Sequence, residues 1–121
     1  MKLTRFEDIE AWKEGRLLVT DVYRSMASVK DFGFRDQIQR GAVSITSNIA
    51  EGFDRGSNKE FIQFLTIARG SASEVRSQAY IALDLGYIDS KAFEELSARC
   101  TTVSNLINGF IRYLRNSGRQ H

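Results

Sequence analysis

Proline is absent from the 121 residues, and cysteine and histidine occur once each. The lone cysteine, Cys100, excludes an internal disulfide and suits a reducing compartment, so the chain is expected in the cytoplasm. The lone histidine, His121, stands at the last position. A histidine-based dyad or triad, or a zinc site of the usual kind, cannot be assembled from that inventory. The Glu-x-x-His pairs with which helical bundles hold two metal ions are missing as well. No run approaches the roughly 18 apolar residues of a membrane span, and the opening MKLTRFEDIEAWKEG lacks the apolar centre of a signal peptide. No stretch alternates in the manner of a strand, so no glycine-rich phosphate loop follows one. These absences predict an all-α, non-enzymatic protein without cofactor, metal or small-molecule substrate.

What is present is helical periodicity. A first helix is predicted over about 8–28, with Ile9, Trp12, Val19, Tyr23 and Met26 on one apolar row and Leu18, Val22 and Val29 on another. Phe6 is placed to staple its start. A second runs over about 34–53 with Ile38, Ala42, Ile45, Ile49 and Phe53 on one side. Asp31 is a candidate cap for it. Gly33, Gly52 and Gly56 are candidates for the left-handed conformation at its ends. A third runs over about 58–85, opened by a capping box of Ser57 and Glu60 and carrying Phe61, Leu65, Ala68, Ala72, Val75, Ala79 and Ala82. Gly86 closes it in a Schellman-type turn. The fourth, over about 90–116, steps three and four through Phe93, Leu96, Cys100, Val103, Ile107, Phe110 and Leu114. Four long helices with short breaks predict a single domain over 1–121, an antiparallel up-down-up-down four-helix bundle. Cys100 reads as a small core hydrophobe. Gly15 and Gly109, and likewise Gly41 and Gly70, are expected at matching heights, where each pair would permit close backbone approach.

The polar face of the second helix is the one constellation open to a functional reading. Arg40, Ser44, Asn48, Glu51 and Arg55 share a stripe, on which Arg40 is expected to meet Ser44, and Asn48 to meet Glu51. A solvated face, a subunit interface and a ligand or nucleic-acid site all fit that stripe. The net charge of +2 falls short of a phosphate-gripping field, and carboxylates nearly cancel the cations of the second and third helices. Past Glu95 no acid occurs, and Arg112, Arg115 and Arg119 are candidate phosphate contacts or simply complements to a helix C-terminus. Phe64, Ile67, Tyr80, Ile81, Leu106, Ile111, Tyr113 and Leu18 exceed what one core should cover, which points to self-association.

The segments Gln37–Ile45, Ser47–Phe53, Lys59–Phe61 and Ala68–Ser71, with Phe6–Lys13 and Leu83–Ile88, resemble the four helix bundle proteins, also called 23S rRNA intervening-sequence proteins. The resemblance implies a left-handed up-and-down bundle assembled as a ring, typically a homopentamer, in a bacterial protein. Some members are encoded by insertions within large-subunit ribosomal RNA genes. A distantly similar protein serves a retroelement reverse transcriptase and is associated with nucleic-acid binding. Arg40, Ser44, Asn48, Glu51 and Gly52 carry over as signature positions without a catalytic part. Thr46 stands where the family usually has proline, which is expected to reduce a helix kink. Gly41 stands where a small side chain is usual. The expected function is an oligomeric interaction module whose partner is RNA or a nucleoprotein. The alternative is a structural assembly or protein–protein adaptor without nucleic-acid affinity.

Overall fold

The computed structural model describes residues 3–117. A 3-10 turn, Phe6–Asp8, leads into four α-helices: α1 (Glu10–Met26), α2 (Phe32–Phe53), α3 (Asn58–Asp84) and α4 (Ser90–Asn116). No strand occurs among the described residues. The first helix is shorter than the predicted 8–28, because Ile9 is extended (φ −77°, ψ 121°) and separates the 3-10 turn from α1. Phe6 still packs on the start of α1, its ring 5.1 Å from that of Trp12 in an edge-to-face pair.

Each of the three later helices opens on a side-chain cap. Asp31 accepts from the Phe34 N–H, Ser57 from Glu60, and Asp89 from Ala92, each satisfying a donor that the first turn cannot use internally. The box at Ser57 differs in detail from the expected one: its hydroxyl also meets the Glu60 carboxylate at 3.3 Å. Gly86 (φ +75°) is the only described residue with positive φ. There the Tyr87 N–H reaches Ala82 O at 2.8 Å and the Gly86 N–H reaches Leu83 O at 3.0 Å, which is the Schellman pattern. Gly33 lies inside the first turn of α2 and Gly52 within its last turn, and neither they nor Gly56 take the left-handed conformation expected of them.

One core joins all four helices. The predicted seam of α3 is entirely buried, as are Ile38, Ala42, Ile45 and Ile49 of α2 and Leu96, Cys100, Val103 and Ile107 of α4. In α1 the row of Leu18, Val22 and Met26 points inward, whereas Tyr23 is exposed. Leu18 and Ile111, expected among the surplus, are core residues: Leu18 lies on the inner row, and the buried face of α4 is wide enough to take in Ile111. Among the described residues α1 touches α2 and α4, α3 also touches α2 and α4, and the diagonal pairs do not meet.

Glycine lets three of these contacts form, at Gly52, at Gly41 and at Gly15, where a Cβ would lie 3.1 Å from Thr46 Cγ2. A Cβ on Gly52 would lie 2.7 Å from Phe64 Cβ and 2.8 Å from Phe61 Cδ1; one on Gly41 would lie 3.2 Å from Val75 Cγ2. The expected glycine pairs do not meet. Gly15 faces Ile45 and Thr46 of α2 rather than Gly109, and a Cβ on Gly70 would meet nothing within 4 Å. The wheel position of each glycine, and not its height alone, decides what it touches. Gly52→Ala is therefore expected to destabilise by about 1–3 kcal/mol, since neither phenylalanine atom is the free end of a flexible chain. Gly70→Ala should stabilise by about 0.5–1 kcal/mol through helix propensity alone. Urea unfolding of the two variants reads both signs.

The loops before α2 and before α4 are tied by the Tyr87 hydroxyl, which donates to Asp31 Oδ2 at 2.7 Å. That bond, with the Phe34 N–H, holds the Asp31 carboxyl below its ordinary range, and the carboxylate raises the Tyr87 phenol. The lowered Asp31 contributes stability above its unfolded value of about 3.9, lost as pH falls through the folded one. The raised Tyr87 contributes below about 10, lost as pH rises through its folded value. Tyr87→Phe should shrink the acid limb and remove this residue's alkaline limb in a plot of Tm against pH.

Candidate functional site

The polar stripe of α2 lies along its junction with α3 and divides into an inner and an outer row. On the inner row Ser44 and Asn48 are half-buried. The Asn48 side-chain N–H group donates to Ser44 O at 2.8 Å and to Ser44 Oγ at 3.0 Å. Ser44 Oγ lies 3.1 Å from Ser71 Oγ across the helix pair. Small hydroxyls facing each other let the backbones approach while leaving few unpaired polar atoms, so the row forms an interhelical clasp. Gln78 Oε1, farther along the same junction, is buried without a partner among the described residues.

On the outer row Arg40, Glu51 and Arg55 are exposed. Arg55 pairs with Glu51 at 2.9 Å, and its guanidinium stands 4.8 Å over the Phe64 ring. The expected pairs are thus replaced. Asn48 turns inward to Ser44 and not to Glu51, and Glu51 takes Arg55; no hydrogen bond joins Arg40 to Ser44. A hydrogen-bonding side chain beside a helix junction does better with a partner it can hold away from water than with a fully solvated one. Thr46 bonds back to Val43 O at 2.9 Å, and α2 runs through it without interruption. Of the candidate phosphate contacts, Arg112 and Arg115 are exposed on α4, and Arg119 lies outside the described residues.

Sequence reasoning missed a second polar cluster. Arg99 of α4 donates to Asp21 at 2.9 Å and to Glu14 at 3.1 Å, both on α1, and these carboxylates hold its charge firmly. It borders a cleft of about 490 Å³ with Arg24, Ser25, Glu95 and Thr102 on its walls. No local spacing announces a contact across 78 positions; only the seven-residue interval from Glu14 to Asp21 hints that both share a face of α1. Neighbouring Cys100 is buried, and burial pushes its thiol up to about 12, which leaves it a neutral packing group at physiological pH. No metal-binding group of histidine, cysteine, aspartate and glutamate occurs among the described residues, and no described helix is long and apolar enough to cross a membrane.

Residues 7–109, which hold all of this geometry except the end of α4, match the 23S rRNA-intervening sequence protein family. The chain belongs to that family. A crystal structure of a protein of unknown function from the S23 ribosomal protein family of Bacteroides thetaiotaomicron VPI-5482 superposes with a TM-score of 0.79. The two are 24% identical, with 84% of this chain and 98% of that one covered, so the likeness speaks to the fold. No curated protein is significantly similar in sequence.

The two rows should separate on mutation. Asn48→Ala deletes two half-buried bonds and should cost about 1 kcal/mol, whereas Glu51→Ala removes an exposed i,i+4 pair and should cost under about 0.5 kcal/mol. Denaturant midpoints of the two variants, at dilution where copies do not associate, provide the comparison.

Proposed function

We propose that this member of the 23S rRNA-intervening sequence protein family is a non-enzymatic, cytoplasmic interaction protein. Its four helices run alternately up and down in a left-handed bundle, copies assemble as a ring of five, and the assembly engages RNA or a nucleoprotein. Two contacts support the alternating course: Asn58, at the start of α3, donates to Leu114 O near the end of α4, while Tyr87 and Asp31 join the loops at the other end. Handedness and ring size rest on the family resemblance.

The observation that carries self-association is one edge of α3. Ile67 and Ile81, with Leu85 at the C-cap, are 52%, 47% and 54% exposed there, an apolar row that association would remove from water. Their spacing of 14 and 4 keeps them on one side of the helix, beside the exposed row of Arg40 and Glu51. A ring requires a heterologous contact, in which this edge meets a different face of the next copy.

The family supports an RNA partner. The pairing of Arg55 with Glu51 favours a second reading, a protein–protein adaptor, because it neutralises a cation of the α2 stripe. Light scattering on the purified chain is expected to give a mass of about five chains; a monomer at high concentration overturns the assembly. Filter binding of structured RNA is expected to be steeply salt-dependent, and no retention at low salt leaves the adaptor reading.

A further inference from the structure

We infer that the outer groove between α3 and α4 is a track for the phosphate backbone of single-stranded RNA, with Tyr80 as a base-stacking platform at one end. This rests on the nucleic-acid half of the function proposed above and assigns it to a face other than the α2 stripe.

Two groups of cations in the molecule contrast. Arg5, Lys13, Arg55 and Arg99 are each paired with carboxylates. The arginines of the α3–α4 groove are held by neutral groups: Arg69 donates to Asn108 Oδ1 at 2.7 Å, and Arg76 to Ser97 Oγ at 3.3 Å. Both bonds cross from one helix to the other, which places the two guanidiniums over the groove with their charge uncompensated. Asn108, Arg112 and Arg115 follow at intervals of four and three, so two further exposed arginines extend the same stripe. No acid occurs on α4 from Leu96 to Asn116. Glu74 is the only acid between Phe61 and Leu83 of α3, and it projects about 160° round the helix from Arg76. The result is a local positive stripe on a protein of nearly balanced charge. From Ser97 to Arg115 it covers about 27 Å of α4 at the helical rise.

Exposed Ser73 of α3 and Thr101 of α4 fall on the same helix faces, as donors suited to phosphate oxygens. Past Arg76 the track meets Tyr80, which is 47% exposed and packed 4.6 Å from Phe93, so its position is fixed while part of its surface is free to take a base. Asp84 and Glu94 then close that end. Arginines anchored along a helix–helix junction with an aromatic at the end suit a flexible strand, whose bases can turn to stack.

The test is fluorescence anisotropy of the full chain with a labelled oligouridylate of about 15 nucleotides, the DNA equivalent and an RNA hairpin, over a salt series. Arg69→Gln with Arg76→Gln, and separately Arg112→Gln with Arg115→Gln, are expected to weaken oligouridylate binding about tenfold or more. Each pair should also flatten the salt slope by about 0.7 for every phosphate left without its arginine. Arginine-to-lysine versions should restore the slope, and Tyr80→Leu should weaken binding about fivefold with the slope unchanged. Arg16→Gln with Arg24→Gln removes equal charge from α1 and should change affinity by less than about twofold. Circular dichroism melts accompany every variant, and lysine rescue separates a missing charge from a damaged fold. Wild-type binding that survives both glutamine pairs overturns the groove and leaves the nucleic-acid reading standing. Hairpin binding without strand binding overturns the single-strand assignment. An absence of binding to all three probes overturns both.

Discussion

The approach of α2 to α3 is the contact on which the remaining packing depends. Where Gly52 meets Phe61 and Phe64 there is no room for a methyl group, and at Gly41 a methyl would press on Val75. Held that close, α2 places Phe53 at 6.2 Å from Phe61, and Phe61 in turn stands 5.3 Å from Phe110 of α4, both in edge-to-face pairs. One aromatic chain thus links three helices at the end of the molecule where α2 turns into α3. Ser44, Asn48 and Ser71 extend the same close contact farther along, where hydroxyl and amide groups replace larger apolar ones.

That geometry also sorts the polar residues. Across one junction a cation meets carboxylates that cancel its charge; across another it is anchored by neutral hydrogen-bonding groups. The α1–α4 side shows the first outcome, since Arg99 is held by Asp21 and Glu14. The α3–α4 side shows the second, with Arg69 and Arg76 anchored by Asn108 and Ser97. Net charge, which averages over both, hides the difference.

Much of the framework was legible in the residues. The three-and-four spacing of α3 named seven positions that are all buried, and the caps at Asp31 and Ser57 and the closure at Gly86 depend on neighbours a few residues away. The candidate site was legible only in part. That Arg40, Ser44, Asn48, Glu51 and Arg55 share a stripe follows from helix geometry; that Asn48 turns inward to a serine facing Ser71 does not. Leu18 looked surplus because its inner row could not be told from the outer one before the neighbours of α1 were fixed.

The sequence by itself determined the helical class, the four segments and most of their inward faces, together with the family signature. These are properties of short windows, in which a periodicity of 3.6 residues and a capping side chain act locally. Only the tertiary structure decided which glycines face a neighbour, which arginines meet carboxylates and which meet neutral groups, and which apolar side chains stay outside. Each of those turns on the rotation of one helix against another, and contacts between residues 21 and 99 or 69 and 108 exist only once all four helices have packed.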